Sequence, residues 1–171
     1  ASSSMLPACS SAFPDKALEA WQGPGPETDP RRWALSHAIT APNPHNLQPW
    51  MADLREPGAI VLRTDRQRLL PETDPFGRQI LIGHGAMLEL LVMALAERGF
   101  DSEVTLWPAG ELGSDLKTWD DRPVARVVLK PGAKTDPLFA QILKRHTPKV
   151  DFDTQAPVAL HTLDNLLATA R

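Results

Sequence analysis

The sequence holds one cysteine, Cys9, so it cannot build an internal disulfide framework. No run of apolar residues reads as long enough to span a bilayer. No strong charge imbalance exists either. Its 18 Lys and Arg stand against 21 Asp and Glu, a formal net charge of −3, which gives no reason to expect nucleic-acid binding. His, Cys and carboxylate residues never fall at a metal-binding spacing, so no metal is expected. Gly83-x-Gly85 lacks both the third glycine and the preceding strand of a dinucleotide fingerprint. Tyrosine is missing while tryptophan occurs five times, a bias that carries no functional conclusion. What remains is an ordinary globular composition, 42% hydrophobic and 23% charged. Its 171 residues suffice for one compact domain with a core.

The first residue is Ala rather than Met, and Ala1 to Ser11 are small and weakly apolar, as the end of a secretory signal is. Leu6-Pro7-Ala8-Cys9 is similar to a bacterial lipoprotein cleavage box, in which Cys9 would carry a lipid anchor. Pro7 is not a favoured residue there, and a disordered leader with a chance cysteine is the other reading. The expectation is an exported protein, periplasmic or membrane-anchored, with a cytoplasmic protein as the alternative.

Local signals divide the rest. A short helix is expected from Asp15 to Trp21, broken by Gly23-Pro24-Gly25-Pro26. Thr28 or Asp29 caps the next helix, with Pro30 in its first position, and Pro42 stops it. Trp50–Leu54 and Ala59–Arg63 read as strands around the turn Glu56-Pro57-Gly58. Asp74-Pro75 begins a long helix ending at Gly99. Its segment Ile80–Leu95 is apolar on nearly every face, which implies burial on all sides. Gly83 and Gly85 each cost such a helix about 1 kcal/mol, and close approach of another backbone would account for them. Strands follow at Ser102–Trp107 and Val124–Leu129, then a helix over Leu138–Arg145. A last amphipathic helix opens at Pro157, with Leu160, Leu163, Leu166 and Leu167 on one face. This order is that of an α+β (α/β-like sandwich) fold, with helices covering a sheet.

Two segments carry chemistry. In Ala41-Pro42-Asn43-Pro44-His45-Asn46-Leu47-Gln48-Pro49-Trp50 the prolines hold an extended backbone and the amides supply donors and acceptors. That suits a planar heterocycle with polar edges, such as a flavin or a purine. A structural loop whose amides cap its own backbone is the competing reading. In Lys144-Arg145-His146-Thr147-Pro148-Lys149, basic groups and a hydroxyl cluster just past a helix, as an anion site requires. The competing reading is a solvated helix end facing its own C-terminal dipole. His84 reads as a core histidine, and Arg78 as either an anion ligand or a surface residue. His37 and His45 belong to no metal or triad pattern.

Together the two segments resemble the nitroreductase-like flavoprotein family. Arg145-His146-Thr147-Pro148-Lys149 is similar to that family's opening basic motif, with Thr147 where Ser is usual, and Phe152 near its aromatic position. Residues 41–50 are similar to its Asn-x-Gln-Pro-Trp loop, with Asn43 and Pro44 departing from the usual small residues. The resemblance covers about 31–171. The order is inverted, because in a single family domain the basic motif precedes the loop. A tandem duplication explains that order. Residues 1–30 are then a leader, 31–135 a first repeat, and 136–171 the start of a second.

The resemblance implies FMN as cofactor, reduced nicotinamide, NAD(P)H, as electron donor, and a small-molecule acceptor. It implies a mixed or antiparallel sheet with a long buried central helix, 75–98, at a pseudo-dimer interface. Arg145, His146, Thr147 and Lys149 would contact the FMN phosphate, ribityl chain or ring edge. Pro42, Asn43, Pro44 and Asn46 would line the ring from the other repeat. The second repeat, or a second subunit, would complete the pocket. No side chain need act as acid or base, so no catalytic residue is expected. Three outcomes stay open: an oxidoreductase, a non-catalytic protein that binds or sequesters flavin, and a piece that is inert by itself because the remaining phosphate ligands of the family are absent from it.

Overall fold

The computed structural model describes residues 15–147, 150–151 and 153–169. Expectations for Cys9, Pro148, Lys149 and Phe152 lie outside the described residues. A short helix α1, Asp15–Leu18, runs into a 3-10 turn, Glu19–Gln22. Helix α2, Pro30–Ala38, starts as its residues dictate. The Asp29 carboxylate accepts from the Arg31 N–H at 2.9 Å, and Pro30 supplies a preset first turn.

The sheet has four strands, β1 (Trp50–Asp53), β2 (Ala59–Thr64), β3 (Phe100–Leu106) and β4 (Ala125–Pro131). All neighbours are antiparallel, in the order β1-β2-β4-β3. With the helices beside it this is an α+β fold. Strand β2 sets the inner face, because Ile60, Leu62 and Thr64 are buried while the alternating Val61 and Arg63 are only partly so.

Helix α3, Arg78–Glu97, lies on that face together with α2. Ile60, Leu62 and Val127 of the sheet meet Met87, Leu91, Ala94 and Leu95 of α3 and Ala34 and Ala38 of α2 in one core. Burying side chains of the size of Leu91 and Leu95 stabilises by roughly 2 kcal/mol each. Among the described residues α3 is not buried on every side, which corrects the sequence expectation. Ile82 is 73% exposed, and Gly85 and Glu89 are exposed beside it. The mixed pattern has a simple cause: sheet and α2 cover one flank, and nothing described covers the other. By length and composition α3 is also apolar enough to cross a membrane, contrary to expectation. Half of its apolar window is buried in this fold, as in a core helix.

Three boundaries shift for physical reasons. Helix α3 starts at Arg78 rather than Pro75, since Gly77 takes a left-handed φ of 66° immediately before it. Asp74 still acts on it, its buried carboxylate accepting from the Ile80 N–H at 3.1 Å. The segment Pro137–Lys144 is a 3-10 helix rather than an α-helix, capped by Asp136. It is docked by Ile142, which is buried, and by Phe139, which stacks on Trp33 at 5.7 Å. The last helix, α4, is Leu160–Thr169, and its Leu160, Leu163, Leu166 and Leu167 are all exposed.

Candidate functional site at the end of the second helix

The loop after α2 is tightly braced by its own amides. The Asn43 side chain donates to the Ala41 carbonyl at 3.0 Å and accepts from the Gln48 N–H at 2.8 Å. The Gln48 amide reaches back to the Ile39 carbonyl at 3.3 Å, and Arg68 donates to the Leu47 carbonyl at 2.9 Å. Under this bracing His45, Asn46 and Gln48 all adopt left-handed φ values of 50–52°. Such backbone costs on the order of 1 kcal/mol per non-glycine residue and concentrates at ligand-binding segments. The bend turns Pro42, His45 and Asn46 outward, exposed, while Pro49 is buried beneath.

Gly83 explains how closely this loop sits on α3. A Cβ there would stand 3.3 Å from the Asn43 Cβ and 3.5 Å from Pro44 Cδ. The close approach expected from the sequence therefore exists at Gly83. Gly85 has open space around it, and nothing in the structure requires a glycine there.

The basic motif meets the loop at its root. Docking of the 3-10 helix on α2 through Phe139 brings Arg145 to the end of α2, where Arg145 Nη2 donates to the Thr40 carbonyl at 2.6 Å. The last carbonyls of α2 at Leu35, His37 and Ala38 already accept from the N–H groups of Ile39, Thr40 and Ala41, so Arg145 takes a carbonyl further along the chain. The sequence suggested a cation facing its own helix end; Arg145 instead binds the loop that follows α2, 105 positions away. Its Nη1 donates to Thr147 Oγ1 at 3.3 Å, and its Nε is buried with no partner among the described residues. His146 and Thr147 are exposed beside it. Loop and basic motif thus converge on the two residues, Thr40 and Ala41, that precede Pro42. A cleft of about 670 Å³ lies apart from this cluster, between α2 and β1 at Arg32, Ser36, Ala52 and Arg55.

One feature escaped the sequence. Trp21 lies over this cluster, its ring 5.6 Å from the Arg145 guanidinium carbon and 5.3 Å from the His146 ring. No local pattern signals a contact made through space by a leader segment. His84 is buried, as expected of a core histidine, and shares a 3.0 Å hydrogen bond with Thr64. Burial pushes its pKa down to about 4. His37 is also lowered by burial, while the Trp33 carbonyl that its Nδ1 donates to opposes the shift. No cluster of metal-ligating side chains occurs among the described residues.

No family model matches the chain. Among curated proteins it is 30% identical over 141 residues to an uncharacterized protein of Mycobacterium tuberculosis (strain ATCC 25618 / H37Rv), covering 80% of this chain and 39% of the relative. It is 32% identical over 125 residues to the "Putative NAD(P)H nitroreductase acg" of the same strain, covering 73% and 36%. A further "Putative NAD(P)H nitroreductase" of that strain is 31% identical over 124 residues, covering 72% and 34%. The chain therefore spans little more than a third of the length of these relatives. The chain is thus similar, at a distance, to part of proteins named putative NAD(P)H nitroreductases, and its α+β fold is consistent with that likeness.

Proposed function

We propose that the chain is the front part of an FMN-binding oxidoreductase of the nitroreductase type. It would take electrons from a reduced nicotinamide and pass them to a small-molecule acceptor. The observation that carries this reading is the 2.6 Å hydrogen bond from Arg145 to the Thr40 carbonyl, which ties the basic motif to the root of the Asn46 loop. Two segments that resemble the two halves of one flavin site are adjacent in space although far apart in sequence.

The donor set suits one edge of a flavin. Asn46 offers an exposed amide and Pro42 an exposed apolar surface, while His146 and Thr147 offer exposed polar groups on the other side. Arg145, and Lys149 by resemblance, would supply positive charge toward a phosphate. Asn43 and Pro44, packed on Gly83, would hold the loop in place. When bound, the flavin supplies the hydride chemistry; these residues bind and orient it.

The site in this chain is open, and we assign its completion to a second repeat that begins near Asp136 or to a second subunit. The exposed leucines of α4 and the exposed flank of α3 at Ile82 support that division into 31–135 and 136–171, as does the greater length of the relatives. Export, periplasmic or through a lipid anchor at Cys9, belongs to the same proposal and rests on residues 1–11 alone. The second reading, a protein that sequesters flavin without turnover, is favoured by one observation: Arg145 is already engaged by Thr40 and covered by Trp21.

The test is the visible spectrum of the complete protein after incubation with FMN and desalting. Bound flavin is expected, and a colourless protein overturns both readings. Arg145→Ala should retain far less FMN than His84→Ala at equal folded fraction; equal retention counts against the site. Oxidation of reduced nicotinamide with a quinone or nitroaromatic acceptor distinguishes the oxidoreductase from the sequestering protein.

A further inference from the structure

The geometry points to Trp21 as a built-in competitor for the basic motif: its indole occupies the face of Arg145 and His146 that a planar anionic ligand would use. This inference rests on the proposed flavin site and goes beyond it, because it concerns a residue of the leader segment that no motif includes.

Trp21 is the third residue of the 3-10 turn Glu19–Gln22, and Gly23 follows that turn with a φ of +85°, a bend that a residue with a side chain rarely makes. The bend folds the arm back onto the Pro137–Lys144 helix, where Gly23 approaches Leu143. The half-buried indole then lies 5.6 Å from the Arg145 guanidinium carbon, within cation–π range, and tilts 42° across the His146 ring at 5.3 Å. The indole thus covers the arginine and the histidine that would otherwise meet the phosphate and the polar edge of a bound flavin.

Arg145 is left in a state that favours exchange. Nη2 and Nη1 have acceptors in Thr40 and Thr147, but Nε is shut away from solvent with no acceptor among the described residues. A buried donor without a partner is costly, and the indole face is a weak substitute for an oxygen. A ligand that brings an anionic oxygen to Nε, and its own aromatic plane to His146, would replace Trp21 on both counts. The arm 15–23 would then swing away. Its hold on the rest of the chain favours release, since the short helix Asp15–Leu18 is exposed from Lys16 onward.

The experiment is an FMN titration of the complete protein, wild type against Trp21→Ala and Trp21→Phe, followed by flavin fluorescence. Trp21→Ala should bind FMN about tenfold more tightly, as removal of a cation–π competitor implies, and Trp21→Phe should lie between. Equal or weaker binding by a folded Trp21→Ala overturns the competitor while leaving the flavin site standing. Absence of binding in every protein overturns both. Should Trp21→Ala not fold, tryptic cleavage after Lys16 in the wild type gives the same answer: saturating FMN should accelerate it severalfold, and unchanged or slower cleavage overturns the proposal.

Discussion

His84 Nε2 and Thr64 Oγ1 are hydrogen-bonded at 3.0 Å, both residues buried, between the middle of α3 and the end of β2. The imidazole is held neutral there. Burial drives its pKa from 6.5 to about 4, and the nearby Pro49 carbonyl opposes to a smaller extent. Above pH 6.5 the histidine is neutral both folded and unfolded, so it makes stability no more pH-dependent. Between pH 6.5 and about 4 the unfolded chain takes up a proton that the folded chain refuses, so stability falls as pH falls. The loss attributable to this residue should approach about 3 kcal/mol at pH 4. Urea unfolding of wild type and His84→Gln from pH 7 to pH 4 checks this. Their stability difference should shift by that amount in favour of the variant, and a constant difference would refute the account.

Much of the fold was legible because its signals are local. Asp29-Pro30 marks the start of α2, Glu56-Pro57-Gly58 joins β1 to β2, and Gly83 in an apolar helix announces a close backbone. What was not legible depends on contacts across the chain. The exposure of Ile82 depends on which neighbours cover α3. The engagement of Arg145 by Thr40 depends on Phe139 docking against Trp33. A helix over Leu138–Arg145 was expected after Asp136-Pro137; the segment Pro137–Lys144 is instead wound as a 3-10 helix, unusually long for that winding and held by the packing of Phe139 and Ile142. The candidate site was legible as two motifs, and their meeting point at Thr40 was not.

Gly77 is the residue that fixes where α3 begins. Its φ is +66°, and a Cβ on it would overlap the Trp119 indole. That indole cannot easily withdraw, because Trp119 is 2% exposed and its Nε1 donates to the Gly113 carbonyl at 2.7 Å. Gly77→Ala combines left-handed strain with overpacking, so it should destabilise by on the order of 3 kcal/mol. Chemical denaturation checks it. A loss no larger than that of an ordinary surface substitution would mean that the Trp119 packing yields.

The two glycines of α3 should respond in opposite senses to alanine. At Gly85 a methyl enters open space, so Gly85→Ala should stabilise by about 1 kcal/mol through helix propensity. At Gly83 the same gain meets Asn43, whose side chain is pinned by hydrogen bonds to Ala41 and Gln48 and has little freedom to retreat. Gly83→Ala should therefore forfeit the gain and disturb the loop. Thermal melts of both variants decide the matter, and equal stabilisation would show that the loop moves freely.

Asn43 and Asn46 stand three positions apart in one loop and should separate stability from binding. Asn43 spends its amide inside the loop on two hydrogen bonds. Each contributes about 1 kcal/mol net, so Asn43→Ala should lower stability by roughly 2 kcal/mol. Asn46 is exposed, and its side chain has no role in the bracing described for Asn43, Gln48 and Arg68. Because Asn46 holds a left-handed φ of 52°, glycine is the substitution that removes its amide without adding backbone strain: Asn46→Gly should leave the melting temperature nearly unchanged and reduce FMN retention by the complete protein. Measuring both quantities on both variants tests the assignment of Asn46 as a ligand and Asn43 as a brace. If Asn46→Gly lowers stability as much as Asn43→Ala and leaves flavin retention intact, the outward face of the loop serves the fold rather than the cofactor.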